Sequence, residues 1–244
     1  MVIKTKQISN LIYCDDFISN LQLETKLLPN PYHDYPYLVI KNFLSKSLCK
    51  KISQYTYNES EAQKAKVKTT ILKGVVDPSV DENIRKTKIH TLPDKFLKVY
   101  DKKFKIHQPD IENYFNVALT LSTNTQALEY MKGCFYIKHA DDSNELVNSD
   151  GETIGFKQVA PQRKITTVLF TTSHTNNKGV KDGFSGGELQ FNYLYDKNNQ
   201  KIKFYPQAGD MIVFPSNPIY SHEVLEVKEG YRLTLVQWHN AIIQ

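Results

Sequence analysis

The sequence predicts an α+β protein with a mainly β core, of sandwich or jelly-roll type, and helices confined to its first half. The second half holds several short runs rich in β-branched and aromatic residues, separated by turn-rich stretches such as Asn198–Asn199 and Pro206–Gly209. Helical periodicity ends by Phe115. Hydrophobic residues make up 40% of the 244, with 15 Tyr and 12 Phe against 10 Gly, a balance that suits a β-rich globular chain with a sizeable core.

Residues 1–36 read as an arm or lead-in, broken near their end by Pro29, Pro31 and Pro36. The tyrosines around Pro31–Tyr37 suit a recognition arm or, more plainly, a packed lead-in. Residues 37–244 are expected to form one domain. Tyr37–Phe43 predicts a strand, and Ser45 caps a helix in which Leu48, Ile52 and Tyr55 fall at helical spacing. Residues 76–83 are a polar loop. Asp94–Phe115 is expected to contain a second helix, with room for a third within the same stretch. Strands are expected at Gln126–Tyr136, Lys164–Thr172, Glu188–Tyr193, Met211–Phe214 and Tyr231–Trp238. Asp142–Gln162 is long and polar, the pattern of a lid or a flexible loop.

Composition narrows the function classes. The net charge is +5, but the lysines are scattered and no nucleic-acid-binding module accompanies them. Met1–Gln7 lacks the apolar core of a signal peptide, and no stretch is long enough to span a bilayer. Cys14, Cys49 and Cys134 are odd in number and widely spaced, which suggests no disulfide framework and a reducing cytoplasm.

The chemistry is carried by His139, Asp141 and, far downstream, His222. Residues i and i+2 of a strand face one side, so His139 and Asp141 point together. Two histidines and one carboxylate are a set that holds ferrous iron on one face and leaves other positions open. Arg232, Thr234, Val236 and Trp238 share one face of the last strand. The planar fork of Arg232 suits a bidentate pair with a carboxylate, and the Thr234 hydroxyl adds a donor. Each piece alone has a plainer reading: a surface pair, a core histidine, a surface salt bridge. Their order and spacing together are far more specific.

From Tyr130 onward the chain resembles the prolyl 4-hydroxylase-like branch of the Fe(II)- and 2-oxoglutarate-dependent oxygenases. The pattern Y-x-x-G-x-x-Y-x-x-H-x-D falls on Tyr130, Gly133, Tyr136, His139 and Asp141, and R-x-x-T on Arg163 and Thr166. Gly186, Gly187, Gly209, His222, Val224, Arg232, Thr234 and Trp238 complete the match. The likeness is strong over residues 125–240 and looser over 37–90. It implies a double-stranded β-helix with helices along one side, forming an oxygenase domain. It further implies that His139, Asp141 and His222 ligate iron(II), and that Arg232 pairs with the distal carboxylate of 2-oxoglutarate, helped by Thr234 and the phenol of Tyr136. Val224 and Trp238 would be pocket wall.

The implied reaction consumes 2-oxoglutarate and dioxygen, with ascorbate as an accessory reductant, gives succinate and carbon dioxide, and hydroxylates an unactivated C–H bond. The presence of Asp141 favours hydroxylation over halogenation. The substrate is a prolyl or other residue of a peptide or protein, a free amino acid, or a small metabolite. A non-catalytic 2-oxoglutarate sensor is the alternative from another class. A nucleic-acid demethylase fits less, because the last strand lacks a second arginine and an asparagine. Structural zinc normally has four protein ligands.

Other residues have two readings. Arg85 and Arg163 face a substrate, or they are surface charges or members of ion pairs. Asp142 is expected to be solvated or a loop cap. His174 and His239 lack partners at ligand spacing, His107 is expected to be exposed, and Cys134 is expected to pack as a small apolar residue.

Overall fold

The computed structural model describes residues 4–5, 37–58, 62–64, 85–150, 152–176, 183–196 and 198–243. In chain order the elements are β1 (Lys4–Thr5), β2 (Leu38–Ile40), α1 (Lys46–Asn58), β3 (Ala62–Lys64), β4 (Lys88–His90), α2 (Asp94–Phe115), β5 (Val117–Ser122) and β6 (Gln126–Met131). Then come β7 (Tyr136–His139), β8 (Ser143–Val147), β9 (Thr153–Gln158), β10 (Ile165–Phe170), β11 (Ser173–His174), β12 (Gly183–Gly186) and β13 (Leu189–Tyr195). The chain closes with β14 (Lys201–Phe204), β15 (Met211–Pro215), a 3-10 turn (Pro218–Tyr220), β16 (His222–Val224) and β17 (Val227–Ile243). The lead-in call over residues 1–36 lies outside the described residues except for β1, as do the 76–83 loop and the tyrosines before Tyr37.

The fold is a double-stranded β-helix. A major sheet runs β2-β15-β10-β17-β6-β4-β3, with β5 and β12 also on β17. A minor sheet runs β1-β13-β16-β7 and carries β14 on β13. Side chains alternate across each strand, so the central strands of the major sheet, β2, β15, β10, β17 and β6, feed two cores. Val168, Phe170, Ile212, Phe214 and Val236 pack inward with Phe191, Leu189 and Val224 of the minor sheet. Ile165, Leu169, Met211, Val213, Leu233 and Leu235 pack the other way, against Ile52 of α1 and Phe96, Tyr100 and Ile111 of α2.

Ser45 caps α1 as expected, its Oγ accepting from the Leu48 N–H at 3.3 Å. Asp94–Phe115 is one helix, not two, and Pro109 lies inside it. Phe96, Tyr100, Phe104, Ile111 and Tyr114 stay on one buried face across the proline, so packing against the sheet outweighs the lost backbone bond. The expected strand over Gln126–Tyr136 is broken by a turn at Gly133 (φ +76°), which separates β6 from β7 and sends each to a different sheet. The segment expected to be a lid or flexible loop is an antiparallel hairpin of β8 and β9, in register from Ser143 opposite Gln158 to Leu146 opposite Gly155, with the register shifting before Val147 meets Thr153.

Candidate metal centre and its pocket

Three elements bring the ligand set together. β7 pairs with β16 so that His139 lies opposite His222. Asp141 follows β7 directly, and its N–H donates to the Ser216 carbonyl at 3.2 Å, just after β15. One ligand atom from each of His139, Asp141 and His222 lies within 4.8 Å of the others. The rings of His139 and His222 are 4.4 Å apart, and His222 Nε2 is 4.0 Å from an Asp141 oxygen.

The histidines are oriented by their other nitrogens. His139 Nδ1 sits 2.8 Å from the Ile137 carbonyl, and His222 Nδ1 sits 3.0 Å from the Tyr220 carbonyl. A carbonyl only accepts, so each Nδ1 carries the proton and each Nε2 keeps its lone pair, as metal-binding imidazoles do. Burial pushes the His139 imidazole down to about 3; His222 adds to this and Asp141 opposes it. Burial also raises the Asp141 carboxyl, but His222, His139, Thr166 and Trp238 together hold it below its ordinary value. Two imidazoles whose Nε2 atoms are left to the cavity, together with one carboxylate, fit a divalent metal with open positions. Thr166 Oγ1 donates to Asp141 at 2.7 Å, and Arg163 donates to the Asp141 backbone carbonyl at 3.0 Å.

Every site residue expected from the sequence lines one cavity: His139, Asp141, His222, Arg232, Tyr136, Thr234, Val224 and Trp238. Arg232 is 1% exposed. Its Nε donates to the Gly187 carbonyl at 2.8 Å, and its guanidinium stands over the rings of Tyr130 (4.7 Å) and Phe170 (5.0 Å). Burial lowers its pKa to about 10, against the pull of Tyr130 and Glu188. Gly187 has φ +61°, and a Cβ there would lie 2.8 Å from Val227 and 3.0 Å from Arg232 Cδ, so a side chain at this turn would displace the arginine.

Several sequence readings are corrected here. Arg85 and Arg163 are not surface charges, and neither forms an ion pair among the described residues. Arg85 stacks over Tyr136 at 4.6 Å and Arg163 over Trp238 at 4.0 Å, bracing two pocket walls. Asp142 is not solvated: it is 3% exposed, accepts from Ser143 Oγ and Gln158 Nε2, and closes the base of the hairpin. His107 is only partly exposed, its ring tilted against Phe43 with centroids 5.5 Å apart. His239 is a core residue, within bonding distance of Ser122 and Thr167. Cys134 packs against the inner core as expected.

The sequence reading did not single out Thr166, Tyr130, Val168 or Leu189 as pocket residues. Thr166 and Val168 were within reach, because they alternate on the inward face of a strand. Tyr130 opens the motif that ends in Asp141, but its place under Arg232 depends on β6 pairing with β17, where the two residues face each other.

Comparison with known proteins agrees with this geometry. Residues 125–240 match the family model of the 2OG-Fe(II) oxygenase superfamily. A PKHD-type hydroxylase of Prochlorococcus marinus strain MIT 9312 is 34% identical over 77 residues, 32% of this chain and 30% of that protein. The chain thus spans less than a third of the curated relatives it matches. A Pseudomonas putida prolyl-4-hydroxylase shares the fold at TM-score 0.55 and 20% identity, over 84% of this chain and 92% of the other. A Trichoplax adhaerens prolyl hydroxylase, solved with a hypoxia inducible factor peptide fragment, does so at TM-score 0.55 and 19% identity, over 92% of each chain.

Proposed function

We propose that the chain, whose residues 125–240 match the family model of the 2OG-Fe(II) oxygenase superfamily, is a 2-oxoglutarate-dependent dioxygenase that hydroxylates an unactivated C–H bond in a prolyl or other residue of a peptide or protein. The observation that carries this reading is the convergence of His139, Asp141 and His222 within 4.8 Å, in the same cavity as the buried Arg232. In this reading His139 Nε2, His222 Nε2 and Asp141 hold iron(II). Arg232 binds the distal carboxylate of 2-oxoglutarate, with the hydroxyls of Thr234 and Tyr136 beside it. Val224 and Trp238 close the walls. Bound iron(II) and 2-oxoglutarate supply the oxidation of the C–H bond by dioxygen, while the protein supplies placement and shields the centre.

The chain's own residues do the rest. The Ile137 and Tyr220 carbonyls fix both imidazole tautomers, and Thr166 and Arg163 fix Asp141. Burial beneath aromatic rings strengthens the pull of Arg232 on a carboxylate, because few competing waters reach it.

A peptide substrate is favoured over a free amino acid because the relatives of like fold include a prolyl hydroxylase solved with a peptide. Residues 37–244 then form the oxygenase domain and 1–36 its lead-in. Among the described residues no helix is long and apolar enough to cross a membrane. Cys49 and Cys134 are free thiols, which suits a reducing cytoplasm.

Succinate formation tests the activity. With iron(II), 2-oxoglutarate and oxygen but no substrate, slow succinate release is expected from the native protein and none from His139→Ala. Tight 2-oxoglutarate binding without succinate under any condition would instead indicate a sensor.

A further inference from the structure

Arg232 is a buried cation, and among the described residues it has no carboxylate partner in an ion pair. Glu188 is the acidic group that acts on it most directly. It follows Gly187, whose carbonyl holds Arg232 Nε. A buried arginine beside a glutamate ordinarily forms a fork-to-fork pair, but here the glutamate is held elsewhere. Its Oε1 lies 3.0 Å from His174 Nε2, and the two side chains are 15% and 5% exposed.

His174 is itself firmly set. Its N–H donates to the Pro206 carbonyl at 2.8 Å, and its ring meets Tyr205 at 5.0 Å and Phe184 at 5.5 Å, both edge-on. β11 places it opposite Phe184 of β12, and the Phe184 ring also lies near the Arg232 guanidinium at 5.8 Å. The Glu188 backbone is pinned too, its carbonyl accepting from Leu225 N–H at 3.0 Å.

We propose that His174 is a positioning residue for the cosubstrate anchor: it claims the Glu188 carboxylate and so keeps the Arg232 guanidinium open for the carboxylate of 2-oxoglutarate. This rests on the assignment of Arg232 made above. Without His174, Glu188 is free to turn onto Arg232 and compete with the cosubstrate from within the chain. The competitor is covalently attached, so it acts at an effective concentration on the order of millimolar however little 2-oxoglutarate is dissolved.

The test is the affinity of the full chain for 2-oxoglutarate, measured by calorimetry without oxygen, with Mn(II) as the metal. His174→Ala is expected to weaken binding about tenfold while leaving Mn(II) affinity unchanged. The double variant His174→Ala/Glu188→Gln is expected to recover most of that loss, which a merely structural role for His174 would not allow. Native-like affinity in His174→Ala, or no recovery in the double variant, overturns the proposal. Should His174→Ala fail to fold, Glu188→Gln alone decides: affinity equal to or tighter than native supports the proposal, and a tenfold loss overturns it. Arg232→Ala separates the two readings. If it binds 2-oxoglutarate normally, the anchor assignment is wrong; if it loses binding while His174→Ala does not, only the role of His174 falls.

Discussion

His222 and His239 are both buried, on strands that follow one another in the chain but belong to the two different sheets, and their surroundings differ in kind. His239 faces the helices. One ring nitrogen lies 2.7 Å from Ser122 Oγ, the other 3.1 Å from Thr167 Oγ1, and the ring stacks flat on Phe104 at 4.5 Å. Both of its polar atoms are satisfied by the fold. His222 faces the cavity with one nitrogen bonded to the Tyr220 carbonyl and the other turned toward Asp141 and His139. Polar capacity left over after folding is what marks a binding site. The contrast extends along β17, where Arg232, Thr234 and Trp238 line the cavity while Leu233 and Leu235 fill the helix-side core. A one-residue step in the chain separates chemistry from stability.

The sharpest way to break that contrast is on the cavity side. His222→Ala is expected to abolish substrate-dependent succinate formation, a loss of at least about a thousandfold, while the thermal midpoint moves little. A large fall in the midpoint would mean that His222 is a structural residue like His239. On the helix side the expectation reverses. Leu233 is fully buried, and Leu233→Ala should cost about 3 kcal/mol of stability by leaving a cavity. Its 2-oxoglutarate affinity should stay native in the folded fraction, as denaturant titration and calorimetry together would reveal.

The smallest expected effect concerns pH. Burial lowers His239 from 6.5 to about 4. The unfolded chain therefore takes up a proton at a pH where the folded one does not. The resulting stability is complete above about pH 6.5 and is lost as pH falls toward 4, by at most about 1.4 kcal/mol per pH unit. His239→Gln should flatten the acid side of the midpoint-against-pH curve. An unchanged slope would place the acid sensitivity elsewhere.

The candidate metal centre was legible because it obeys strand arithmetic: His139 and Asp141 two apart, and Arg232, Thr234 and Trp238 on one period-two face. The core strands were legible for the same reason, being apolar on both faces. Two features were not. The β8–β9 hairpin has no hydrophobic alternation to announce it. It is held by side chains, with Lys138 bonding Glu145 and Thr153, and Asp142 bonding Gln158. The stacking of Arg85 on Tyr136 and of Arg163 on Trp238 joins residues far apart in the chain, which local pattern does not reach. Pro109, a local helix breaker, lies within a continuous helix because packing overrules it.

The hairpin is tied to the candidate metal ligands at both of its ends. Asp142 adjoins Asp141 and holds Gln158 at the root, while Lys138 adjoins His139 and bonds Glu145 in mid-strand and Thr153 near the tip. The tip itself is closed by Asn148, accepting from the N–H groups of Asp150 and Glu152. The hairpin is thus a strut braced at both ends and not a free arm, and Lys138 is the coupling through which a load on its tip would reach the strand that carries His139.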